Sequence, residues 1–393
     1  MTGAPTRVAF LITHPIQYAA PLFRRIAGTP GLDLTVLYGS DLSSRGYYDP
    51  GFGREVAWDV DLLDGYRSVF LPTVGRTDVV DLWRPFVRGV GAALKEARSD
   101  WLVIHGYSRP SHLLAVLAAR RAGVRVLIRD EATAISRDRG PAKRVFKRAF
   151  FAALDRLVDG YLAIGTLNAA YYRAMGIPYA KLFLMPYAVD NGYFRAAAET
   201  REQTRSQLGL APGTPVVLCA AKLQPRKNPD RLIAAFRRLE TPAGSPAPQL
   251  LLAGDGEMRD ALVRQAAGDA NIHFLGFQGQ QDLVRLYAAC DVFVLPSQYE
   301  PWGLVVNEAM SAGRAVVVSD RVGSAPDLVR QGENGFVYPV DDVPALTRAL
   351  AKVCFTPGLA GAMGERSREI VAQWDIDADV RGLVRAVGLP ARE

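Results

Sequence analysis

The chain has 393 residues, about twice the length of an ordinary domain, and 49% of them are hydrophobic against 22% charged. These values predict two globular domains and exclude a disordered or fibrous chain. The formal net charge of +7 is carried mostly by arginine, which leaves two interpretations open. One is coding bias in a GC-rich genome, and the other is an acidic partner, either a phosphorylated substrate or an anionic membrane. A nucleic-acid partner is not expected, because no nucleic-acid module is recognisable.

Targeting and redox features are sparse. No run of about 18 uncharged apolar residues is present, so a membrane-spanning helix is not expected. The first apolar stretch, residues 7–13, is too short for a secretory signal and predicts a strand, which favours a cytoplasmic protein. The three cysteines lie far apart, which argues against a disulfide framework and a structural zinc site.

The first half of the chain alternates short apolar strands with amphipathic helices, the pattern of a doubly wound α/β fold with a parallel sheet. Residues 46–70 are rich in Gly, Tyr and Asp and predict an irregular excursion. We assign residues 1–195 to a first domain, because the strand pattern stops there. Its predicted strands cover residues 8–13, 32–38, 101–105, 124–129 and 161–164, and its predicted helices include 19–27 and 111–122.

The α/β pattern restarts in a second domain, residues 196–375. Ligand-binding loops are expected at the carboxyl ends of its parallel strands, in a cleft between the two domains. The predicted strands cover residues 216–221, 249–253, 272–275, 292–296 and 315–319, and the predicted helices cover 229–239, 257–267, 281–289 and 303–312.

The most informative motif runs from Glu300 to Gly313, directly after the predicted strand 292–296. A helix that opens near Gly303 leaves its first backbone amides without intrahelical acceptors, which suits a diphosphate. Two carboxylates, Glu300 and Glu308, flank that position and are suited to accept hydrogen bonds from hydroxyl groups. The alternative is that Glu308 is a surface residue of an amphipathic helix. The predicted diphosphate amides are those of Gly303, Leu304 and Val305.

This motif resembles the Glu-x7-Glu motif of retaining GT-B glycosyltransferases of family 4. Three other segments of the second domain resemble that family in order and spacing. They are the stretch 221–229 with Lys222 and Lys227, the turn Gly254-Asp255-Gly256, and the stretch His273 to Phe277. The resemblance implies the GT-B fold, two Rossmann-like doubly wound domains facing a central cleft. It also implies that the final helix, residues 376–393, packs back on the first domain.

The resemblance further implies a hexosyltransferase that binds a nucleotide-diphosphate sugar and retains the anomeric configuration. Lys222 and Lys227, with the helix amides, would stabilise the leaving diphosphate, although the family more often has Arg at position 222. Glu308 would bind the ribose and Glu300 the sugar hydroxyls, while Gly254, Gly256 and Phe277 would complete the donor site. No cofactor and no metal are expected. The two Asp-x-Asp pairs, at residues 59–61 and 375–377, are interpreted as solvent-facing.

In the first domain, the stretches His14 to Tyr18 and His105 to Tyr107 resemble a bacterial branch of the family. Many members place a histidine at the strand end that reads Leu127 to Glu131 in this chain. Two explanations stay open: Asp130 or Glu131 replaces the contact of that histidine, or His14 or His105 approaches from another loop. For His105, a buried structural role is equally open. The predicted catalytic side chains of this domain are Asp130 and His14, and the predicted acceptor-side residues are Tyr18, His105 and Glu131.

Residues 143–151 contain four cations and three phenylalanines in nine positions. They predict either a basic amphipathic helix in peripheral contact with an anionic membrane, or a helix whose Phe residues all pack on the sheet. Because the membrane interpretation is open, a lipid-linked acceptor is open too.

The sequence thus predicts a glycosyltransferase that uses a nucleotide-sugar donor and a hydroxyl acceptor on a glycan, a lipid carrier or a natural product. Fold alone does not decide between activities. Two alternatives remain, a sugar-nucleotide epimerase on the same fold and a catalytically silent sugar-nucleotide-binding scaffold. A phosphorylase is disfavoured, because the chain has no lysine motif for pyridoxal phosphate.

Overall fold

The structure is a computed structural model of the chain, and it describes residues 4–49, 51–56, 60–133, 135, 140–196 and 200–389. The chain divides into two compact units. The first unit comprises Met1–Tyr47, Val60–Tyr187 and Ile376–Glu393, and the second comprises Tyr48–Asp59 and Ala188–Asp375. The division after Tyr187 lies before the predicted boundary at residue 195. The predicted first domain also contained Tyr48–Asp59, which the structure groups with the second unit instead.

The first unit is built on a seven-stranded parallel sheet. The strands up to Tyr187 are, in chain order, β1 (Thr6–Ile12), β2 (Leu32–Tyr38), β3 (Tyr47–Asp49), β4 (Arg54–Val56), β5 (Arg67–Phe70), β6 (Thr73–Val74), β7 (Phe86–Val87), β8 (Trp101–His105), β9 (Arg125–Arg129), β10 (Gly160–Ala163) and β11 (Leu182–Leu184). The order in the large sheet is β11-β10-β9-β8-β1-β2-β5, while β3 with β4 and β6 with β7 form two small separate sheets.

Helices cover both faces of this sheet, and hydrophobic clusters fill the space between them and the strands. The helices are α1 (Ala19–Ala27), α2 (Val90–Glu96), α3 (Pro110–Arg121), α4 (Gly140–Leu154) and α5 (Thr166–Ala174). Strand β1 is apolar from Val8 to Ile12, and each of these side chains is at most 1% exposed. Such continuous apolar runs are expected for strands covered on both faces.

The second unit has a six-stranded parallel sheet in the order β14-β13-β12-β15-β16-β17. Its strands are β12 (Val216–Ala220), β13 (Gln249–Ala253), β14 (Ile272–Gly276), β15 (Val292–Leu295), β16 (Ala315–Ser319) and β17 (Gly335–Tyr338). The chain reverses its direction of winding between β12 and β15, and such a switch point is where open α/β sheets bind ligands.

Nine helices are described in this unit. They are α6 (Asn191–Ala196), α7 (Arg201–Gln207), α8 (Pro229–Phe236), α9 (Arg259–Ala266), α10 (Gln280–Ala289), α11 (Leu304–Ser311), α12 (Ala325–Leu328), α13 (Val343–Phe355) and α14 (Leu359–Val371). Within the described part of the chain, no helix is both long and apolar enough to cross a bilayer.

The last helix, α15 (Ile376–Ala386), returns to the first unit and packs on α1, β10 and β11. Gly382 permits the close approach, since a Cβ atom at this position would lie 2.2 Å from the carbonyl oxygen of Leu184. Leu383 of the same helix is completely buried in the core cluster.

The predicted irregular excursion at residues 46–70 is wrong in part. It contains β3 and β4, and its final residues form β5, which pairs in parallel with β2 at the edge of the large sheet. No residue of β5 is buried, so the strand has no inward-facing apolar pattern that the sequence analysis could detect.

Candidate functional site

The second unit gathers the predicted donor-site residues at the carboxyl ends of its strands. The loop after β12 carries Lys222 and ends in a 3₁₀ turn, Pro225–Lys227. Gly254 and Gly256 follow β13 with positive φ angles, 142° and 152°. A Cβ atom at Gly254 would lie 2.0 Å from the Ala221 carbonyl oxygen, and one at Gly256 would lie 2.6 Å from that of Leu223. Because the two glycines have no side chains, the loop after β13 packs directly against the backbone of the loop that carries Lys222.

Lys227 and Glu300 form an ion pair through the lysine Nζ and the glutamate Oε2. The two side chains are only 11% and 14% exposed, so most of each charged group lies out of water. The more exposed Arg226 guanidinium lies 4.0 Å from the same carboxylate oxygen. The structure thus brings together the cation and the carboxylate that the sequence analysis assigned to the donor phosphate and the donor sugar.

Lys222 is paired with a carboxylate that the sequence analysis did not connect with the site. Its Nζ donates to both carboxylate oxygens of Asp49, at 2.7 and 2.8 Å. The Nζ also lies 4.5 Å from the ring centroid of Phe52. No signal in the sequence pointed to this contact, because the two partners are 173 positions apart.

Phe277, the predicted residue for the nucleotide base, follows β14. Its ring meets the ring of Phe52 edge-on, with the centroids 4.9 Å apart. The guanidinium of Arg54 lies over the Phe277 ring at 5.3 Å from the centroid. Phe52 thus contacts both Phe277 and Lys222.

The helix predicted to open near Gly303 is α11, which begins at Leu304 with Gly303 as its N-cap. Gly303 has a φ angle of 92°, and a Cβ atom there would lie 2.9 Å from a methyl group of Leu295. The indole of Trp302 donates to Asn307 Oδ1 at 2.9 Å and holds the start of the helix in place. The first amides of α11, including those of Leu304 and Val305, have no acceptor within the helix and are available to an anion.

Glu308 is half-buried on α11, so it is not the surface residue of the alternative interpretation. Its Oε2 accepts a hydrogen bond of 2.7 Å from the hydroxyl of Tyr287, which is completely buried in α10. Burial raises the pKa of Glu308 to about 7, and the hydrogen bond from Tyr287 offsets only part of this effect. Tyr287 was not predicted from the sequence, since an aromatic residue in a helix is ordinarily a core residue.

In the first unit, Glu131 lies at the centre of a polar cluster beyond the ends of β8 and β9. The hydroxyl of Tyr187 donates to Glu131 Oε1 at 2.5 Å, and that of Tyr18 donates to the same oxygen at 3.4 Å. His105 Nε2 lies 3.8 Å from it. Burial acts to raise the pKa of Glu131, but His105 and the tyrosines together hold it below its ordinary value. The three predicted acceptor-side residues, Tyr18, His105 and Glu131, therefore lie in one cluster. Tyr187 belongs to the same cluster and was not predicted.

The two predicted catalytic residues of this unit lie beside the cluster. The His14 Nδ1 is 2.9 Å from the Thr13 hydroxyl. Burial, with smaller effects from Arg109 and His105, lowers the pKa of His14 to about 4, so its imidazole is neutral at pH 7. The Asp130 carboxylate accepts the backbone N–H of Ala132 at 2.7 Å, and burial raises its pKa to about 6.

A buried ion pair lies behind the cluster. The guanidinium of Arg129, at the end of β9, donates to Asp379 of α15 at 2.9 Å, and the two side chains are 2% and 4% exposed. The same guanidinium lies 4.8 Å from the ring centroid of Tyr187. This pair was not predicted from the sequence, since its members are 250 positions apart.

Of the two acidic pairs that resemble metal-binding motifs, the structure describes Asp61, Asp375 and Asp377. Asp61 is exposed and accepts the backbone amides of Leu63 and Asp64, and Asp377 forms an ion pair with Arg25. Asp59 lies outside the described residues. Over the described ranges, no group of three or more His, Cys, Asp or Glu side chains is arranged to hold a metal ion.

The basic, Phe-rich segment forms part of α4. Phe151 is completely buried and Phe150 packs beside it, while Phe146 is 75% and Val145 69% exposed. The expectation that all three phenylalanines pack on the sheet is therefore wrong for Phe146. The ammonium of Lys147 lies over aromatic rings of the first unit, whereas the other three cations, Lys143, Arg144 and Arg148, are exposed.

Two Rossmann-like units with parallel, doubly wound sheets are the architecture of GT-B glycosyltransferases. Solved structures of this class share it at low sequence identity. An Anabaena protein, HepE, in complex with UDP and glucose, has a TM-score of 0.71 and 18% identity, over 97% of this chain and 99% of that one. The sucrose-phosphate synthase of Thermosynechococcus elongatus has a TM-score of 0.73 and 20% identity, over 97% and 98%. The predicted GT-B fold is confirmed.

The chain belongs to the family 4 type of glycosyltransferases. The family described as glycosyl transferases group 1 matches residues 200–370, and the glycosyl transferase 4-like domain matches residues 17–188. A GDP-mannose-dependent alpha-(1-6)-phosphatidylinositol monomannoside mannosyltransferase of Mycolicibacterium smegmatis is 30% identical over 324 residues, 80% of each chain. The corresponding enzyme for the monoacylated substrate in Corynebacterium glutamicum is 29% identical over 326 residues, 80% of this chain and 81% of that one. The predicted family is confirmed.

Proposed function

We propose that this glycosyltransferase moves a hexose from a nucleotide-diphosphate sugar to an acceptor hydroxyl, with retention of configuration and without a metal ion. The observation that carries the proposal is the meeting of Lys227, Glu300 and the start of α11 at the carboxyl ends of the strands of the second unit. Cations and helix amides suit a diphosphate, and carboxylates suit sugar hydroxyls.

The charge on the leaving group is the main energetic problem of the reaction. As the bond between the anomeric carbon and the phosphate oxygen breaks, negative charge develops on the diphosphate. Lys227, Lys222 and the first amides of α11 would stabilise this charge, so that a divalent cation is not needed. Donor binding would separate Lys227 from Glu300 and leave the carboxylate to accept hydrogen bonds from the sugar hydroxyls.

Retention follows in this proposal from a reaction on one face of the sugar. The acceptor oxygen forms its bond to the anomeric carbon on the face that the phosphate leaves, and the phosphate oxygen accepts the proton of the acceptor hydroxyl. Glu300 then orients the sugar instead of attacking it. Around the acceptor, Tyr18, His105 and Glu131 would supply hydrogen bonds, with His14 and Asp130 beside them.

Donor binding is the first test of the proposal. The chain is incubated with GDP-mannose and, separately, with UDP-glucose in the presence of EDTA, and its melting temperature is measured. A donor at a hundred times its dissociation constant stabilises the fold by about 2.7 kcal/mol. We expect a shift with one nucleotide class and none with Glu308→Ala. Transfer from that donor to a panel of hydroxyl acceptors, followed by NMR of the product anomer, then tests retention.

Conversion of the donor in the absence of an acceptor would instead favour the epimerase, and donor binding with neither transfer nor hydrolysis would favour the silent scaffold. An inverted anomer would contradict the reaction on one face of the sugar. Loss of donor binding in EDTA that returns with Mg²⁺ would contradict metal independence.

Donor affinity should increase between pH 6 and pH 8. Burial raises the pKa of Glu308 to about 7, so its carboxylate is mostly protonated at pH 6 and mostly ionised at pH 8. Only the ionised form accepts hydrogen bonds with both oxygens, and the affinity is therefore expected to rise about tenfold over this range. Calorimetric titration with an intact nucleotide sugar measures it. In Glu308→Gln the profile should be flat, and a rise of equal size in that variant would contradict the assignment.

We propose that α4 contacts an anionic membrane, which fits relatives named for phosphatidylinositol mannoside acceptors. Phe146 and Val145 are exposed beside the three exposed cations Lys143, Arg144 and Arg148. Each cation near an anionic surface contributes about 1 kcal/mol. Co-sedimentation should therefore be stronger with vesicles of phosphatidylglycerol and phosphatidylcholine than with phosphatidylcholine alone.

The variant Phe146→Ser should weaken the vesicle binding, and replacing the three exposed cations of α4 by glutamine should abolish it. Arg120→Gln, which removes one exposed cation from α3, is the control and should bind as the parent chain does. Equal binding to both kinds of vesicle would contradict the proposal.

A further inference from the structure

A short segment of the chain lies against two residues of the proposed donor site, Lys222 and Phe277. This segment, here called the strap, consists of residues 47–49 and 51–56 and contains β3 and β4. Its turn is built around Asp49, whose Oδ1 accepts the backbone N–H groups of Gly51 and Phe52 at 2.7 and 3.2 Å. The turn thereby holds the carboxylate in one orientation.

The first contact of the strap is with the cation proposed for the diphosphate. The two oxygens of Asp49 both lie within 2.8 Å of Lys222 Nζ, and the carboxylate side chain is 12% exposed. Burial acts to raise the pKa of Asp49, but the hydrogen bond and charge of Lys222 hold it below its ordinary value, so the contact stays ionic near neutral pH. Asp49 thus presents two anionic oxygens to the ammonium group of Lys222, as a phosphate group of the donor would.

The backbone of the strap lies directly against the same lysine. A Cβ atom at Gly51 would be 2.7 Å from Lys222 Nζ and 2.9 Å from its Cδ. The Gly51 carbonyl oxygen also accepts the amide of Gln224 at 3.5 Å. A side chain at position 51 would require the lysine side chain to shift, because the ammonium group lies between the turn and its own loop.

The second contact is with the aromatic residue proposed for the base. Phe52 meets the Phe277 ring edge-on, and the Arg54 guanidinium lies over the face of that ring. Aromatic and guanidinium groups are the usual partners of an exposed aromatic face. A nucleoside base that stacks on Phe277 would need the same space.

We propose that the strap is a built-in competitor of the donor: Asp49 occupies the phosphate position on Lys222, and Phe52 with Arg54 occupies the base position on Phe277. The inference rests on the proposed function, since it needs Lys222 and Phe277 to bind the donor. The strap must leave before the nucleotide enters, and the site is held closed while it is empty. The apparent affinity for the donor is then lower than the intrinsic affinity by the fraction of open molecules.

The test measures nucleotide binding to the full chain by calorimetry, with UDP and GDP as the probes. Asp49→Asn removes the charge but keeps the shape, and it should bind the preferred nucleotide about tenfold more tightly than the parent chain. Gly51→Ala places a Cβ atom where the end of the Lys222 side chain lies, so it should displace the lysine from Asp49 and act in the same direction. Glu55→Gln removes one exposed charge from the same strap and is the control, with unchanged affinity.

Inorganic pyrophosphate separates the two arms of the strap, because it has no base. Asp49→Asn should tighten pyrophosphate binding, whereas Arg54→Ala, which removes the guanidinium over the Phe277 ring, should tighten the binding of the nucleotide only. Unchanged or weaker nucleotide binding in both Asp49→Asn and Gly51→Ala would overturn the inference, since the strap would then support Lys222 instead of competing for it.

The failure of this inference and the failure of the proposed function are distinguishable. If the parent chain binds a nucleotide and Glu308→Ala does not, the donor site stands, and unchanged affinity in the strap variants rejects only the competitor. If neither the parent chain nor any strap variant binds UDP, GDP or their sugars, both are rejected.

Discussion

Lys227→Met should lower kcat for sugar transfer by about 10²–10³-fold. The substitution removes a fixed cation from the position where charge develops on the leaving diphosphate, and one such group typically contributes a factor of this size. It also leaves the carboxylate of Glu300 largely buried without its main partner. Lys227→Arg keeps the charge and should recover part of the activity. Initial rates with saturating donor and acceptor measure both variants.

The matched control is Arg231→Met, which removes one cation from the neighbouring helix α8, where the side chain is 52% exposed. It should transfer sugar at the parent rate. If both substitutions reduced kcat equally, the effect would come from the overall charge of the second unit, and Lys227 would have no particular role at the leaving group.

Asp379→Ala should lower the free energy of unfolding by about 3–5 kcal/mol, because it leaves the Arg129 guanidinium buried without a counter-charge. The double variant Arg129→Met with Asp379→Leu removes both charges and should recover most of the loss. Since Arg129 lies against Tyr187, which donates to Glu131, the single variant should also change the acceptor KM. Urea denaturation and acceptor titrations provide the two measurements.

Asp377→Ala is the matched control, because it removes an exposed carboxylate from the same helix, α15, and leaves no buried charge unpaired. Asp377 pairs with Arg25, and the side chains are 48% and 51% exposed, so the cost should be at most about 1 kcal/mol. If Asp379→Ala and Asp377→Ala lowered the free energy of unfolding equally, the buried pair would stabilise the packing of α15 on the first unit no more than the exposed pair does.

Most of the α/β architecture is encoded locally. Strands β2, β8, β13 and β16 begin and end at the predicted residues, since each is mostly apolar and mostly buried. Strand β5 was not predicted, because an edge strand with no buried residue has no apolar pattern. The donor residues Lys227, Glu300 and Glu308 were predicted from a motif in which strand, turn and helix follow one another within a few positions.

The partners of those residues were decided by tertiary structure. The sequence by itself determined two parallel α/β units, the family, and the groups at the strand ends of the second unit, because burial patterns and the Glu-x7-Glu spacing are local properties. Only the tertiary structure decided that Asp49 pairs with Lys222, that Tyr287 donates to Glu308 and that Asp379 balances Arg129. Local periodicity records whether a residue is buried, whereas the partner of a charged or polar group depends on which distant segments the fold brings within about 3 Å.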